Sequence, residues 1–290
     1  MADETTAEFN TEDLARGWAQ LADRRPTHHT ELAFAARTDI GRVRENNEDK
    51  FDFFLPDDAP TQATRGRLWA IADGMGGHSA GQVASEAGLK TVIRSYFAEP
   101  LTGETSEVGE ALRQSLRDAN ALIAQAAINM GAKNGMGTTM VVAIVLNDML
   151  TIAHVGDSRA YLLREGERIR QLTTDHSWVE EQVRRGALSR AEAEKSPYRN
   201  VITRSIGMGD GMDADILTEK LFPEDILLLA TDGVTGYLGE DALAALVSHK
   251  SLSKAALDIV DAANDAGGKD NSTVVLLKVL SITSASEGAS

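Results

Sequence analysis

Aspartates that stand where strands begin or end can hold hard cations, and this chain has five of them. Leu68-Trp69-Ala70-Ile71-Ala72 runs straight into Asp73-Gly74, Thr151 through Val155 into Gly156-Asp157, and Ile226 through Thr231 into Asp232-Gly233. Asp270-Asn271 precedes a last apolar run, and Asp49 closes Asn46-Asn47-Glu48-Asp49. Taken singly, an Asp-Gly pair is turn chemistry. In antiparallel sheets, however, the end of one strand lies beside the start of its neighbour, so these carboxylates can converge on one rim. Like charges gathered there destabilise one another unless a cation offsets them. Oxygen-only ligands suit Mg²⁺ or Mn²⁺ and argue against zinc or copper. The glycines of Asp73-Gly74-Met75-Gly76-Gly77-His78 let the backbone approach a ligand and offer a main-chain carbonyl as a further donor. A phosphate-cradling loop does not fit: Ser79 stands where GxGxxG needs its last glycine, and no Gly-Lys-Ser/Thr occurs there.

Other chemistries are weaker. Gly156-Asp157-Ser158-Arg159-Ala160 approaches the serine-hydrolase elbow, but Ala160 breaks the pattern and no helix is expected after Ser158. His78 is positioned by its glycine loop as a candidate proton donor, with a surface role as the alternative. His154, inside an apolar strand, reads as a satisfied core histidine. The chain has no cysteine, which removes disulfides, thiolate–zinc sites and a phosphocysteine mechanism together, and a reducing compartment suits that composition.

The elements that must position these residues alternate in type. Leu32–Arg37, Phe51–Leu55 and Leu68–Ala72 read as strands, and Gln82–Phe97 and Val108–Asn129 as helices with apolar residues at helical spacing. Strands follow at Thr138–Leu146, Leu150–Val155 and Ala160–Arg164, with Asn147-Asp148 and Glu165-Gly166 as turns. Trp178–Lys195 reads as one polar helix. Strand Ile226–Thr231, helices Asp241–His249 and Lys254–Ala266 and strand Ser272–Val279 complete the chain. Helices in pairs between blocks of hairpin-linked strands predict sheets covered by helices, not a regular βαβ repeat.

Of the 290 residues, 42% are hydrophobic and 25% charged, enough apolar material for a sizeable core without a disorder signature. The formal net charge of −15 argues against nucleic-acid and anionic-membrane partners. No signal peptide and no membrane span are expected, and the protein is read as cytoplasmic. Residues 1–30 read as an N-terminal extension with a weak helical stripe (Phe9, Leu14, Trp18, Leu21), 31–280 as one domain, and 281–290 as a disordered tail.

Thr38 through Asp49 resembles the opening motif of the bacterial protein phosphatase 2C family, the metal-dependent PPM phosphatases. The resemblance continues in family order through Ala72–His78, Gly135–Thr139, His154–Arg159, Thr231–Gly233 and Gly268–Asn271. It implies an α+β fold, a four-layer αββα sandwich with two central antiparallel sheets flanked by helix pairs. It also implies two divalent cations, Mn²⁺ or Mg²⁺, with a third, weaker site. Carried over by position, Asp73 bridges the cations, the Gly74 carbonyl binds one, and Asp232 and Asp270 complete the other. Asp49 orients the attacking water, Asp157 with Asp232 matches the third site, and Arg44 grips substrate phosphate. Without the motif, Arg44 would read as a surface ion pair with Glu45 or Glu48. Thr231 and Lys50 stand where serine is commoner, and the segment between Ser177 and Arg204 corresponds to the family's variable flap.

The resemblance thus implies a protein serine/threonine phosphatase in which a hydroxide held by the cations attacks phosphorus directly. Two cations lower the pKa of water and neutralise the phosphate oxygens, and a guanidinium supplies a forked, permanent charge. Expected partners are phosphorylated proteins, with a Ser/Thr kinase as the opposing enzyme and the protein itself a monomer. A pseudophosphatase that binds phosphoprotein without turnover is the alternative, although such proteins normally lose a metal aspartate and all five are present here.

Overall fold

The computed structural model describes residues 26–77, 79–98, 101–132, 135–209, 212–248 and 250–284. The elements in order are β1 (His28–Asp39), β2 (Lys50–Phe54), α1 (Ala59–Arg65), β3 (Arg67–Ala72), β4 (Gly74–Met75), α2 (Ser79–Ala98) and α3 (Thr105–Met130). Next come β5 (Gly137–Thr138), β6 (Met140–Leu146), β7 (Met149–Val155), β8 (Arg159–Leu163), β9 (Arg170–Gln171), α4 (Trp178–Arg184) and α5 (Arg190–Lys195). The last are β10 (Asp215–Lys220), β11 (Ile226–Ala230), α6 (Asp232–Thr235), α7 (Glu240–Val247), α8 (Leu252–Asp265) and β12 (Ser272–Ser284).

Two five-stranded antiparallel sheets form, one in the order β10-β7-β6-β3-β2 and the other β1-β12-β11-β8-β9. Their central strands are apolar on both faces because each face meets a different layer. Along β3, Leu68, Ala70 and Ala72 pack under α2 and α3, while Trp69 and Ile71 point between the sheets. Along β12, Val275, Leu277 and Val279 face the inter-sheet layer, and Val274 and Leu276 face α7 and α8. Three apolar layers therefore separate helix pair, sheet, sheet and helix pair. This is the expected four-layer sandwich.

Several boundaries differ from the sequence expectation for local reasons. The polar helix expected over Trp178–Lys195 is two helices, broken at Gly186. The second starts afresh at Ser189, whose side chain accepts from the Glu192 N–H while Glu192 bonds back to the Ser189 N–H. The strand expected over Thr138–Leu146 breaks at Thr139, whose N–H turns aside to the Asp73 carbonyl at 2.8 Å. Pairing of β1 with β12 runs through His28–Glu31 against Ser281–Ser284, past the boundaries expected at residues 30 and 280. The helical stripe around Trp18 and the candidate His78 both lie outside the described residues.

Candidate metal and phosphate site

The two sheets meet at one rim, and the chain's connectivity delivers the five aspartates there. Asp73 follows β3 and Asp49 precedes β2, strands paired through Lys50 and Ala72. On the other sheet Asp232 follows β11 and Asp270 lies two residues before β12, strands paired through Ala230 and Val274. Asp157 sits where the chain crosses from β7 in one sheet to β8 in the other. Gly233 makes the approach of Asp232 to Asp270 possible: a β-carbon there would fall 1.8 Å from the Asn271 carbonyl oxygen.

Hydrogen bonds fasten the rim. Thr231 Oγ1 donates to Asp49 Oδ2 at 2.8 Å, tying one sheet to the other. The Asn271 side chain accepts from the Glu48 N–H at 2.8 Å and donates to the Ile40 and Asn46 carbonyls at 2.9 and 3.0 Å. Thr139 N and Thr138 Oγ1 both donate to the Asp73 carbonyl at 2.8 Å. The two departures from the family pattern have structural roles. Thr231 retains the hydroxyl, and Lys50 Nζ binds the Asn47 and Asp49 carbonyls at 2.8 and 2.9 Å.

Two of the five carboxylates each keep an oxygen unsatisfied. Buried Oδ1 atoms of Asp157 and Asp232 have no hydrogen-bond partner, an arrangement that costs about 1–3 kcal/mol per group when nothing fills it. Burial pushes Asp49 up to about 7, against the pull of the Thr231 and Thr273 hydroxyls, with Asp232 and Asp270 adding repulsion. Burial, then Asp232 and Asp175, push Asp157 up to about 8. Asp73 is held well above the usual carboxylate range by its packing and by Asp49, Asp232, Asp157 and Asp270. Asp232 is raised too, by burial and then Asp270. Among the described residues no three of these carboxylates bring oxygens within 4.8 Å of one another. Asp73 and Asp232 lie within hydrogen-bond reach of each other, and the remaining carboxylates stand further apart around them. Hard oxygen donors, mutual repulsion and orphaned lone pairs together fit a site for divalent cations.

Arg44, in the loop after β1, donates from Nη2 to Asp270 Oδ2 at 2.6 Å with its side chain 49% exposed. Its ion-pair partner is therefore a rim aspartate, not Glu45 or Glu48. The Asp270 hydrogen bond raises its affinity for its proton, and Glu48 and Asp73 add to the field. The guanidinium thus stands at the mouth of the carboxylate ring, where a phosphate would meet it.

The serine-hydrolase reading fails on geometry. Ser158 is fully buried, its Oγ lies 2.8 Å from Thr139 Oγ1, and a strand follows it. His154 is buried as expected, but it is not satisfied: neither ring nitrogen has a well-aligned hydrogen-bond partner. Sequence reasoning passed over Asp175 and His176. Both contact the Gly156–Arg159 turn, and the adjacent Asp-His pair just before the flap was their one visible signal.

The protein phosphatase 2C family model matches residues 37–272. The serine/threonine phosphatase stp of Listeria welshimeri is 37% identical over 243 residues, covering 83% of this chain and 94% of that protein. The solved serine/threonine phosphatase of S. agalactiae is 36% identical with a TM-score of 0.78, covering 86% of this chain and all of that one. The catalytic domain of the serine/threonine protein phosphatase PstP, solved in complex with two manganese ions, is 31% identical with a TM-score of 0.73 over 87% of this chain and all of that one. These relatives define the class as a metal-dependent phosphatase. The chain belongs to the protein phosphatase 2C family.

Proposed function

We propose that the rim residues divide the work of phosphate-ester hydrolysis as follows. Asp73, the Gly74 carbonyl, Asp232 and Asp270 would hold two divalent cations, with Asp73 the carboxylate shared between them, and Asp157 with Asp232 would offer a third, weaker position. When bound, the ions acidify water and neutralise phosphate charge. The chain is a protein-serine/threonine phosphatase that works with two divalent cations. The observation that carries the assignment is the pair of buried, partnerless oxygens on Asp157 and Asp232.

The protein's own groups do the rest. Arg44 binds the phosphate oxygens of the substrate through a fork, exchanging part of its contact with Asp270 for the incoming anion. Asp49, fixed by Thr231, orients the attacking water. No described side chain is placed as a covalent carrier, since Ser158 is buried and hydrogen-bonded and the chain has no cysteine. One in-line displacement follows, and a chiral phosphate ester should invert at phosphorus. Net retention would overturn the single step.

Phosphorylated proteins are the substrates. A Ser/Thr kinase as the opposing enzyme, a monomeric state and a cytoplasmic location complete the reading, the last supported by the absence of cysteine, which suits a reducing compartment. The direct test compares phosphoserine, phosphothreonine and phosphotyrosine peptides with and without Mn²⁺. Hydrolysis of the first two on addition of metal is expected. Robust turnover in excess EDTA would remove the metal reading.

A further inference from the structure

The segment between Ser177 and Arg204 is laced to the rim at both of its ends. At its start, Asp175 and His176 grip the turn that carries Asp157. The Arg159 guanidinium donates to Asp175 from Nε at 2.8 and 3.1 Å and from Nη2 at 2.7 Å. His176 makes a reciprocal pair with Gly156: its N–H donates to the Gly156 carbonyl at 2.8 Å, and the Gly156 N–H donates to His176 Nδ1 at 3.1 Å. Asp157 is thus clamped on both sides by consecutive residues. The grip continues inward. Gly156 packs so closely that a β-carbon there would fall 2.5 Å from Thr139 Cβ, and Thr139 bonds the backbone of Asp73 through its N–H and its hydroxyl.

The segment's two arms are joined next to the same residues. The Thr203 N–H donates to the His176 carbonyl and the Trp178 N–H to the Val201 carbonyl, both at 2.8 Å. Beyond the segment, Ile206 exchanges two 2.9 Å backbone bonds with Thr138, whose hydroxyl binds the Asp73 carbonyl. We propose that Asp175 and His176 form a clasp coupling the 177–204 segment to Asp157 and Asp73, with His176 a positioning residue for the phosphatase reaction. This rests on the ligand roles given above to Asp73 and Asp157.

His154, His176 and Asp215 also bring ligand atoms within 4.8 Å of one another, a spacing that a transition metal could use. The hydrogen bonding argues against it. Nδ1 of His176 accepts from Gly156, so the neutral ring keeps its proton on Nε2, the atom 3.2 Å from Asp215 Oδ2. A metal on Nε2 would need an imidazolate or the loss of the Gly156 bond. Asp215, held by Arg204 at 3.0 Å and directly opposite His154 across β10 and β7, is instead the outer buttress of the clasp. A cavity of about 370 Å³ lies beside His154 and Asp215.

The test is a Mn²⁺ titration of the full chain, read by calorimetric metal binding as well as by phosphopeptide turnover, below the melting temperature of each variant. His176→Ala should raise the Mn²⁺ concentration for half-saturation and lower kcat at saturating metal, each by on the order of tenfold, as the loss of groups that orient metal ligands typically does. His176→Asn, whose Oδ1 can accept from Gly156 as Nδ1 does, should stay within about twofold of the parent, while His176→Gln, whose polar end reaches the Nε2 position, should resemble alanine. If His176→Ala fails to fold, this Asn–Gln order decides the matter alone. A folded His176→Ala with parental metal dependence, or glutamine performing as well as asparagine, overturns the clasp. Asp73→Asn is measured alongside. Surviving turnover there overturns the ligand assignment and the clasp with it, whereas a dead Asp73→Asn beside a parental His176→Ala overturns the clasp alone.

Discussion

Strand β11 is flanked by an aspartate on each side, and the two are treated in opposite ways. Asp225, just before the strand, is 1% exposed and fully partnered: Arg164 forks onto it at 2.9 and 2.8 Å, and the Phe222 N–H donates at 2.9 Å. The Arg164 guanidinium in turn lies over the Phe222 ring, 4.6 Å from its centroid. Asp232, just after the strand, keeps a buried oxygen with no partner and faces other acids. The same residue type, seven residues apart along the chain, serves stability at one end and is left incomplete for a ligand at the other. Incompleteness at the rim is affordable because the three apolar layers between the helices hold the fold independently.

Exchanging charge at the two ends should separate activity from stability. Asp232→Asn or Asp73→Asn should lower kcat by several orders of magnitude while raising the melting temperature of the metal-free protein, since each removes a repelled carboxylate. Asp225→Ala should do the reverse, costing about 1–3 kcal/mol by removing the acceptor of the Arg164 fork and the Phe222 N–H while leaving kcat per folded molecule near parental. Denaturant melts and steady-state kinetics on the same preparations check both. If Asp225→Ala were the more damaging to catalysis, the contrast would collapse.

The next effect concerns pH. Asp49 at about 7 and Asp157 at about 8 lie above their unfolded value near 3.8. The folded metal-free state therefore binds more protons than the unfolded one across that interval. Their contribution to stability is fully present below about pH 4 and is lost as pH rises through 7 to 8. Melting temperatures of EDTA-treated protein should fall between about pH 5.5 and about pH 8.5, and Mn²⁺ should suppress that fall by favouring the charged carboxylates. A flat profile without metal would show that the rim is not strained by its own charge. The smallest effect is at the mouth: Arg44→Ala should raise KM about tenfold, with a lesser loss in kcat, as a lost charge-assisted contact of roughly 1.4 kcal/mol would. An unchanged KM would assign Arg44 to its ion pair with Asp270.

The rim was legible because its residues sit at strand ends, where apolar runs stop on Asp-Gly or start after Asp-Asn. What escaped was whatever lacked a full-strength pattern. β10 is an edge strand with half-exposed residues such as Glu219 and Lys220, so no clean alternation marks it. The short helix α1 was signalled by Asp58, which caps Thr61, with Pro60 in the first turn, but seven residues carry too little periodicity to stand out. The break between α4 and α5 was written in Gly186 and the Ser189–Glu192 capping pair, masked by helix formers on either side. His176 escaped for a different reason: its partner is a backbone N–H, which no side-chain pattern announces.

The long pairing of β1 with β12 bears on when a newly made chain can first work. Arg44 leaves β1 and Asp270 enters β12, and the contact between them joins residues 226 positions apart. A growing polypeptide can hold Asp49, Asp73, Asp157 and Asp232 while its last strand is still unmade, yet Asp270 gains its place only when β12 docks between β1 and β11. Such distant pairing forms late and slowly compared with the local hairpin of β6 and β7. Chains that stop short of β12 should therefore have no power to strip phosphate from their neighbours, and competence should arrive in one step when β12 docks.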